Sequence, residues 1–316
     1  MTRASSDRCG DSVAVILNPI AGPRRSRLTP DAARNALARH GLEGEILPTT
    51  GPGEAVALAR AAAARHPVVA AAGGDGTVHE VATGLLGTDA ALAVLPGGSG
   101  NDYALGLGIG SLRAGLDAVA GGVRRAVDVV CCGERRFFNS AGFFLSGLVS
   151  LKADRLSRRL GRWRYRLASV AALATYRPPV ARWILDHGRE VVEGPCLLAE
   201  AGNGPCAGGG FVLCPGADPG DGWLDLCFVR PLSLWALLRV FPAAARGEHV
   251  DHEAVYRTRA RTAVLEVSDR VPLHLDGEAT VMEAGRYELW LEPGRLMVCA
   301  PAPAGRPGAA SGGEDR

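Results

Sequence analysis

The chain is almost without lysine: Lys152 stands alone among 35 lysine and arginine residues. It follows Leu151 rather than a glycine, so a Walker A loop, whose Gly-Lys pair reaches the phosphates, is excluded. It also lies too far beyond the glycine-rich turn at 73–77 to serve as the strand lysine of a protein kinase. No Cys-x-x-Cys pair occurs among the eight cysteines, which argues against a zinc ribbon. Cys131 and Cys132 are adjacent, and Cys196, Cys206, Cys214, Cys227 and Cys299 sit mostly in apolar, strand-like runs, so reduced thiols are expected rather than a disulfide framework. No uninterrupted apolar stretch reaches about 18 residues, the length of a membrane-spanning helix. The first residues lack the apolar segment of a signal peptide. A net charge of +2 is too small to attract nucleic acid by bulk electrostatics, and no such partner is expected. With 316 residues, 47% hydrophobic and 22% charged, the chain has the composition of an ordinary globular protein of about two domains.

What is present is organised around Ala72-Gly73-Gly74-Asp75-Gly76-Thr77-Val78. An alanine- and valine-rich run enters this segment and an apolar-periodic stretch to Leu86 leaves it, which reads as buried strand, tight turn and helix. Glycines there let a ligand approach the backbone, and Thr77 is expected to cap the helix, whose free N–H groups favour an anion. Asp75 is out of place in a pure anion cradle unless a divalent cation lies between it and the phosphates. A plain strand–helix turn with no ligand is the competing reading of these residues alone.

Strands are expected at 13–17, 45–47, 67–72 and 91–95, with helices at 29–40, 55–65, 78–86 and 112–121 between and after them. Such alternation means a parallel sheet with helices on both faces and all strand C-termini along one edge. Asn18-Pro19, Thr49-Thr50, the 73–77 turn and the 96–102 loop all fall on that edge, where open α/β sheets bind ligands. After Arg125 the period changes. Strands are expected at 126–131, 136–139, 180–185, 190–199, 223–229, 263–267, 271–275, 287–291 and 296–299, with helical pattern at 148–176 and 232–246. This is an α/β N-terminal domain with a parallel sheet, followed by an all-β antiparallel sandwich. The divisions expected are 11–135, 136–301 and a disordered tail at 302–316, with a polar leader at 1–10. His249 and His252 read as surface histidines, there being no third ligand nearby.

In order along the chain stand Asn18-Pro19-x-Ala21-Gly22, Gly73-Gly74-Asp75-Gly76-Thr77, Pro96-x-Gly98-Ser99-x-Asn101-Asp102, Gly202-Asn203-Gly204, Gly208-Gly209-Gly210, Asp221-Gly222-Trp223-Leu224-Asp225 and Asp276-Gly277-Glu278. This ordered set resembles the diacylglycerol kinase catalytic-domain family, in the group of bacterial lipid kinases related to sphingosine and ceramide kinases, over about 12–301. NAD kinases also carry a Gly-Gly-Asp-Gly-Thr turn, so it is the combination that is specific.

The resemblance implies a first domain of the NAD kinase/diacylglycerol kinase kind that binds ATP at Asn18, Pro19, Ile20, Ala21, Gly22, Thr49, Gly73, Gly74, Asp75, Gly76, Thr77, Ser99 and Asn101. Main-chain amides and short hydroxyls can hold phosphates without a lysine, with Mg2+ supplying the missing positive charge. Asp75, Asp102 and Asp128 match acidic positions near that metal. The segment Asp276-Gly277-Glu278 matches the one that supplies the proton acceptor, and either Asp276 or Glu278 fits. A second, structural magnesium is implied at the carboxylate of Asp221 with the carbonyls of Asp218 and Trp223. At Asn139-Ser140-Ala141-Gly142-Phe143-Phe144-Leu145 the chain departs from many relatives, which often have a second glycine and an acid after the position of Gly142, and this region is expected on the acceptor side.

The activity implied is phosphorylation of a lipid hydroxyl, diacylglycerol most simply. A sphingoid base, a soluble acceptor such as NAD, and nucleotide sensing without transfer are the alternatives. Six arginines and Lys152 between Lys152 and Arg166, interleaved with Trp163 and Tyr165, form either a solvated helix face or a contact with anionic lipid. A cytoplasmic protein, peripheral at the inner face of the membrane, follows from that contact, and the resemblance also admits a homodimer.

Overall fold

The computed structural model describes residues 12–22, 27–157, 160, 163–173 and 176–301. The leader at 1–10, Arg24, Arg25 and the tail expected at 302–316 lie outside the described residues. The first third alternates β1 (Val13–Leu17), α1 (Pro30–Arg39), β2 (Gly44–Pro48), α2 (Glu54–Ala63), β3 (Val68–Gly73), α3 (Asp75–Leu85), β4 (Ala91–Pro96), α4 (Asp102–Gly106) and α5 (Leu112–Ala120). Helix α1 starts where Thr29 accepts the Ala32 N–H and Pro30 occupies the first turn. Strands β2-β1-β3-β4 run parallel in that order. β1 and β3 are buried along their whole length, as strands covered on both faces must be, which is why their sequences are unbroken valine, alanine, isoleucine and leucine. The short α4 was not evident from the sequence pattern.

The remainder contains β5 (Arg124–Cys132), β6 (Arg135–Phe137), β7 (Ser140–Phe144), α6 (Leu145–Asp154), α7 (Trp163–Leu173), β8 (Val180–Leu185), β9 (Glu190–Pro195), β10 (Leu198–Gly202), β11 (Cys206–Ala207) and β12 (Phe211–Val212). It continues with β13 (Leu224–Val229), α8 (Leu234–Ala244), β14 (Val255–Ala260), β15 (Thr262–Val267), β16 (Val271–Leu275), β17 (Glu278–Met282) and β18 (Gly285–Cys299). A six-stranded antiparallel sheet, β14-β13-β10-β7-β16-β17, packs against β8, β15 and the start of β18. Trp183 of β8 lies at the centre of that sandwich, 5.1 Å from the Phe143 ring and 5.4 Å from Phe228.

Two expectations are corrected here. The run at 190–199 is two strands in different sheets: Pro195 ends β9, and the chain then crosses to begin β10 beside β7 and β13. The segments 287–291 and 296–299 are one long strand, β18, with a bulge between Glu292 and Leu296. Of the 139–145 region, Phe143 and Phe144 are fully buried in the sandwich core, Phe143 against Trp183, and it is Asn139 and Ser140 that line a cavity.

β18 also joins the two lobes. It pairs antiparallel with β15 and β5 and parallel with β4, so the first lobe's sheet continues directly into one sheet of the sandwich. The edge bearing the β1, β3 and β4 turns is thereby held against the six-stranded sheet. No described helix is long and apolar enough to cross a membrane.

Candidate active site

Three loops of the first lobe meet backbone to backbone. The Asn18 N–H donates to the Ala72 carbonyl at 3.0 Å, and the Gly97 N–H donates to the Gly73 carbonyl at 2.7 Å. Gly22 sits at φ +71°, and a Cβ there would collide with the Gly97 carbonyl oxygen. A Cβ on Gly98 would collide with Gly74 Cα, so the β4–α4 turn could not approach the β3–α3 turn this closely if Gly98 carried a side chain. Asn101 holds the second turn from φ +60°, its side chain accepting from the Gly98 N–H at 2.8 Å and donating to the Gly98 carbonyl at 3.1 Å.

The other expected nucleotide positions line the same rim. Asn18 donates from Nδ2 to Thr77 Oγ1 at 3.1 Å and accepts the Ile20 N–H on Oδ1 at 3.1 Å, while the Ala21 N–H closes a turn onto the Asn18 carbonyl. Pro19 and Ile20 are exposed at the turn tip, Ser99 is half-buried in the 96–102 loop, and Thr49 follows β2 with its N–H on the Leu17 carbonyl. Thr77 is not a cap. Gly74 occupies the N-cap, and Thr77, two residues further into α3 than Asp75, is buried with its hydroxyl turned to Asn18.

Asp75, half-buried, and Asp102, buried, are both fastened by main-chain amides. Asp75 accepts Asn101 N–H on Oδ2 at 2.8 Å and Tyr103 N–H on Oδ1 at 3.3 Å. Asp102 accepts the Gly209 and Gly210 N–H groups, at 2.8 and 2.7 Å, from a loop of the second lobe. Burial pushes the Asp75 carboxyl above its usual range; the two amides pull against this, and the charge on Asp276 adds to it.

Asp276-Gly277 is the two-residue turn of the β16–β17 hairpin, with both residues at positive φ, as the tight hairpin turn demands. Asp276 nevertheless turns its carboxylate inward. Oδ2 accepts from His79 Nδ1 and Phe138 N–H, each at 2.8 Å, and Oδ1 accepts from Asn139 N–H at 2.8 Å and Ser140 N–H at 3.0 Å. Its side chain is 5% exposed, whereas Glu278, the first residue of β17, is open to solvent.

Asp75, Asp102 and Asp276 line one cavity together with His79, Tyr103, Asn139, Ser140, Ser150, His274 and Gly277. No lysine or arginine lines it. With His79 paired to Asp276, the remaining two carboxylates, Asp75 and Asp102, have no lysine or arginine facing them in the described lining, which fits a divalent cation. The oxygens of Asp75 and Asp102 each accept one amide and keep lone-pair capacity for a cation, whereas both Asp276 oxygens already accept two donors. Among the described residues no three His, Cys, Asp or Glu side chains close a metal shell by themselves. The set therefore suits magnesium, which takes one or two carboxylates and completes its shell with water and phosphate oxygens.

Two expected groups lie elsewhere. Asp128 accepts the Gly222 and Gly294 N–H groups, each at 2.8 Å, and is not part of the cavity wall; it clamps the 218–223 loop to the β18 bulge. In that loop Asp221 accepts the Trp223 N–H at 3.0 Å and pairs with Arg259 at 3.3 Å, and Asp218 pairs with Arg125. The Asp218 carbonyl already accepts the Asp221 N–H. A metal held by the Asp221 carboxylate would have to displace the Arg259 guanidinium from it. His249 is buried rather than on the surface, its Nε2 3.7 Å from Cys227 Sγ.

Sequence reasoning missed His79, Tyr103, Ser150 and His274. His79 was legible in principle, four residues after Asp75 and hence on the same helix face. His274 was legible as the residue two before Asp276, though the hairpin turn between them hides the relation. Tyr103 and Ser150 carry no local signal. The Tyr103 hydroxyl is buried without a hydrogen-bond partner, and burial pushes the phenol far up.

The chain is similar in sequence and fold to known proteins. The family model described as the diacylglycerol kinase catalytic domain matches residues 12–132, and that of the YegS C-terminal NAD kinase beta sandwich-like domain matches 140–300. A diacylglycerol kinase of Mycobacterium tuberculosis (strain ATCC 25618 / H37Rv) is 34% identical over 301 residues, covering 92% of this chain and 95% of that protein. One from Bacillus subtilis (strain 168) is 30% identical over 279 residues, covering 86% and 91%. The solved structure of a diacylglycerol kinase from Bacillus anthracis str. Sterne shares the fold with a TM-score of 0.68 at 21% identity, over 92% of this chain and 97% of that one.

Proposed function

The chain belongs to the diacylglycerol kinase catalytic-domain family of phosphotransferases, and on that premise we propose that it moves the γ-phosphate of ATP to the hydroxyl of a membrane lipid, most simply diacylglycerol, with Mg2+. One observation carries the reading. Three carboxylates from two lobes, Asp75, Asp102 and Asp276, wall a single cavity whose described lining contains no lysine or arginine, beside closely packed glycine turns.

The turns at Asn18–Gly22, Gly73–Thr77 and Gly98–Asn101 hold the triphosphate by main-chain amides and short hydroxyls. Asp75 and Asp102 would hold magnesium, which when bound neutralises the charge on the phosphoryl oxygens. Between the two acids of the 276–278 segment, hydrogen bonding favours Glu278 as the proton acceptor. Asp276 already receives four donors, while Glu278 has none among the described contacts and sits within the electrostatic reach of His79. As the lipid hydroxyl oxygen bonds to the γ-phosphorus, its proton passes to Glu278 and the bond to ADP breaks. Asp276 orients that segment against the first lobe.

The lipid would be met at a membrane surface. On α7, Trp163, Leu167 and Val170 are exposed at helical spacing, and Trp235 of α8 is exposed beside the same group of helices. Together with the arginines between 152 and 166 they suit peripheral contact with anionic lipid at the inner membrane face.

Incubating the protein with labelled ATP, Mg2+ and a total lipid extract, with NAD and purified diacylglycerol in parallel, tests the reading. A labelled phosphomonoester of diacylglycerol is the expected product. Label confined to NAD or to a sphingoid base would replace the substrate, and label nowhere would leave only nucleotide binding.

A further inference from the structure

From the cavity lining at His274 a buried polar row runs into the six-stranded sheet, and the reaction as described does not use it. Gly142 of β7 stands in register with Glu200 of β10 on one side and His274 of β16 on the other. Ser146, in the first turn of α6, drops its hydroxyl between them. A Cβ at Gly142 would collide with Ser146 Oγ, His274 Nε2 and Glu200 Oε2, so the missing side chain is what lets the three polar groups meet.

The protons can be counted. The Ser146 hydroxyl donates to Glu200 Oε2 at 2.9 Å, which leaves its oxygen facing His274 Nε2 at 3.0 Å as an acceptor. His274 Nδ1 accepts the Gly277 N–H at 3.4 Å, so the ring hydrogen is on Nε2, facing Ser146. Burial holds the ring down to about 4 and pushes the Glu200 carboxyl up to about 7. The links run from Glu200 through Ser146 and His274 to the centre of the turn that carries Asp276 and Glu278. Glu200 is 1% exposed, and its Oε1 has no hydrogen-bond partner. An apolar trio would fill this space at less cost in desolvation, so the row is poorly explained by stability.

We propose that Glu200, Ser146 and His274 are positioning residues: a buried hydrogen-bond chain that sets the His274 tautomer and thereby pins the Gly277 amide, holding the Asp276–Glu278 turn in the orientation that catalysis needs. The catalytic part of this rests on the reading of that turn as the source of the proton acceptor.

Two substitutions of one residue separate positioning from stability. Asn at 274 reproduces the Nδ1 position and keeps an acceptor for Gly277, but loses the partner of Ser146. Gln reproduces Nε2 and satisfies Ser146 and Glu200, but leaves the Gly277 N–H unpaired. In the full-length protein, His274→Gln should keep the thermal midpoint, speed amide exchange at Gly277, and lower kcat by about tenfold or more at unchanged KM for ATP. His274→Asn should do the reverse, with a lower midpoint and kcat within about threefold of wild type. Ser146→Ala should speed exchange at Gly277, and Glu200→Gln, which keeps an acceptor for Ser146, should follow wild type. If kcat tracks the thermal midpoint across this series, or if Gly277 exchange is the same in His274→Gln and wild type, the proposal is overturned. Exchange is measured without substrate, so a wild-type protein that phosphorylates no lipid would defeat the functional reading and leave the positioning claim to be decided by exchange.

Discussion

His79, one turn into helix α3, donates from Nδ1 to Asp276 Oδ2 at 2.8 Å across the junction of the two lobes. The bond ties the helix that follows the Gly-Gly-Asp-Gly-Thr turn to the hairpin turn of the six-stranded sheet. The glycine-turn edge of the first lobe and the 276–278 segment are thereby held in one frame.

That bond gives a pH signature. Burial lowers the His79 pKa, but the hydrogen bond and charge of Asp276, aided by Glu278 and Glu80, outweigh it and leave the folded value above 6.5. A folded value above the unfolded one means the stabilisation is fully present below about 6.5 and is lost as pH rises through the folded value. His79→Asn keeps a donor and removes the charge. The wild type should melt above this variant at low pH, with the gap closing on the alkaline side, as thermal scans across pH will record. A gap that widens with pH would contradict the ion pair.

The two acids of the 276–278 segment should separate cleanly. Glu278→Gln is expected to lower kcat about a hundredfold with an unchanged melting temperature, because the side chain is exposed. Asp276→Asn places an amide donor among four donors and should cost about 1–3 kcal/mol of stability in denaturant titration, beyond any effect on kcat. Loss of kcat on changing Asp276 with none on changing Glu278 would reverse the roles.

Asp75→Asn and Asp102→Asn should each reduce kcat by about a hundredfold or more, since both remove charge where the phosphoryl transfer is neutralised. Titrating Mg2+ against the residual rate should show a higher requirement in both variants. An unchanged Mg2+ dependence would remove these residues from the metal site.

Gly98→Ala is expected to abolish tight nucleotide binding, because its Cβ would push the β4–α4 turn off Gly74. Calorimetric titration with ATP reads this directly, and Gly108→Ala, at a positive-φ glycine with open space around it, controls for backbone strain alone.

Exposed Trp163 and Trp235 should anchor the protein to anionic vesicles. Replacing both with alanine should weaken sedimentation with phosphatidylglycerol vesicles, and the wild-type binding should fall with added salt. Salt-independent binding would exclude the basic contact.

Much of the fold was legible because its elements have local causes. The buried runs 13–17 and 68–73 announce parallel strands, Thr29-Pro30 announces a helix start, and glycine-rich loops at strand ends announce the binding edge. Asp75, Asp102, Asp276 and Glu278 were named from their motifs, and the first three meet at one cavity. The errors were of a different kind. Thr77 is of a type that caps helices, yet Gly74 caps this one, and the hydroxyl serves Asn18, a partner 59 positions away. The 190–199 run has strand composition throughout, and nothing local says that its halves belong to different sheets.

By itself the sequence determined the alternation of strand and helix, the lysine-free glycine turns and the family, because propensity, hydrophobic period and turn chemistry act over a few residues. Which acids face each other was decided only by tertiary structure. β18 carries the sandwich back to β4, the β16–β17 turn lands on His79, and Gly142 opens the space in which Glu200, Ser146 and His274 join. Those contacts span dozens to nearly two hundred residues of chain, and their geometry is set by strand register and lobe packing, which no local window of sequence encodes.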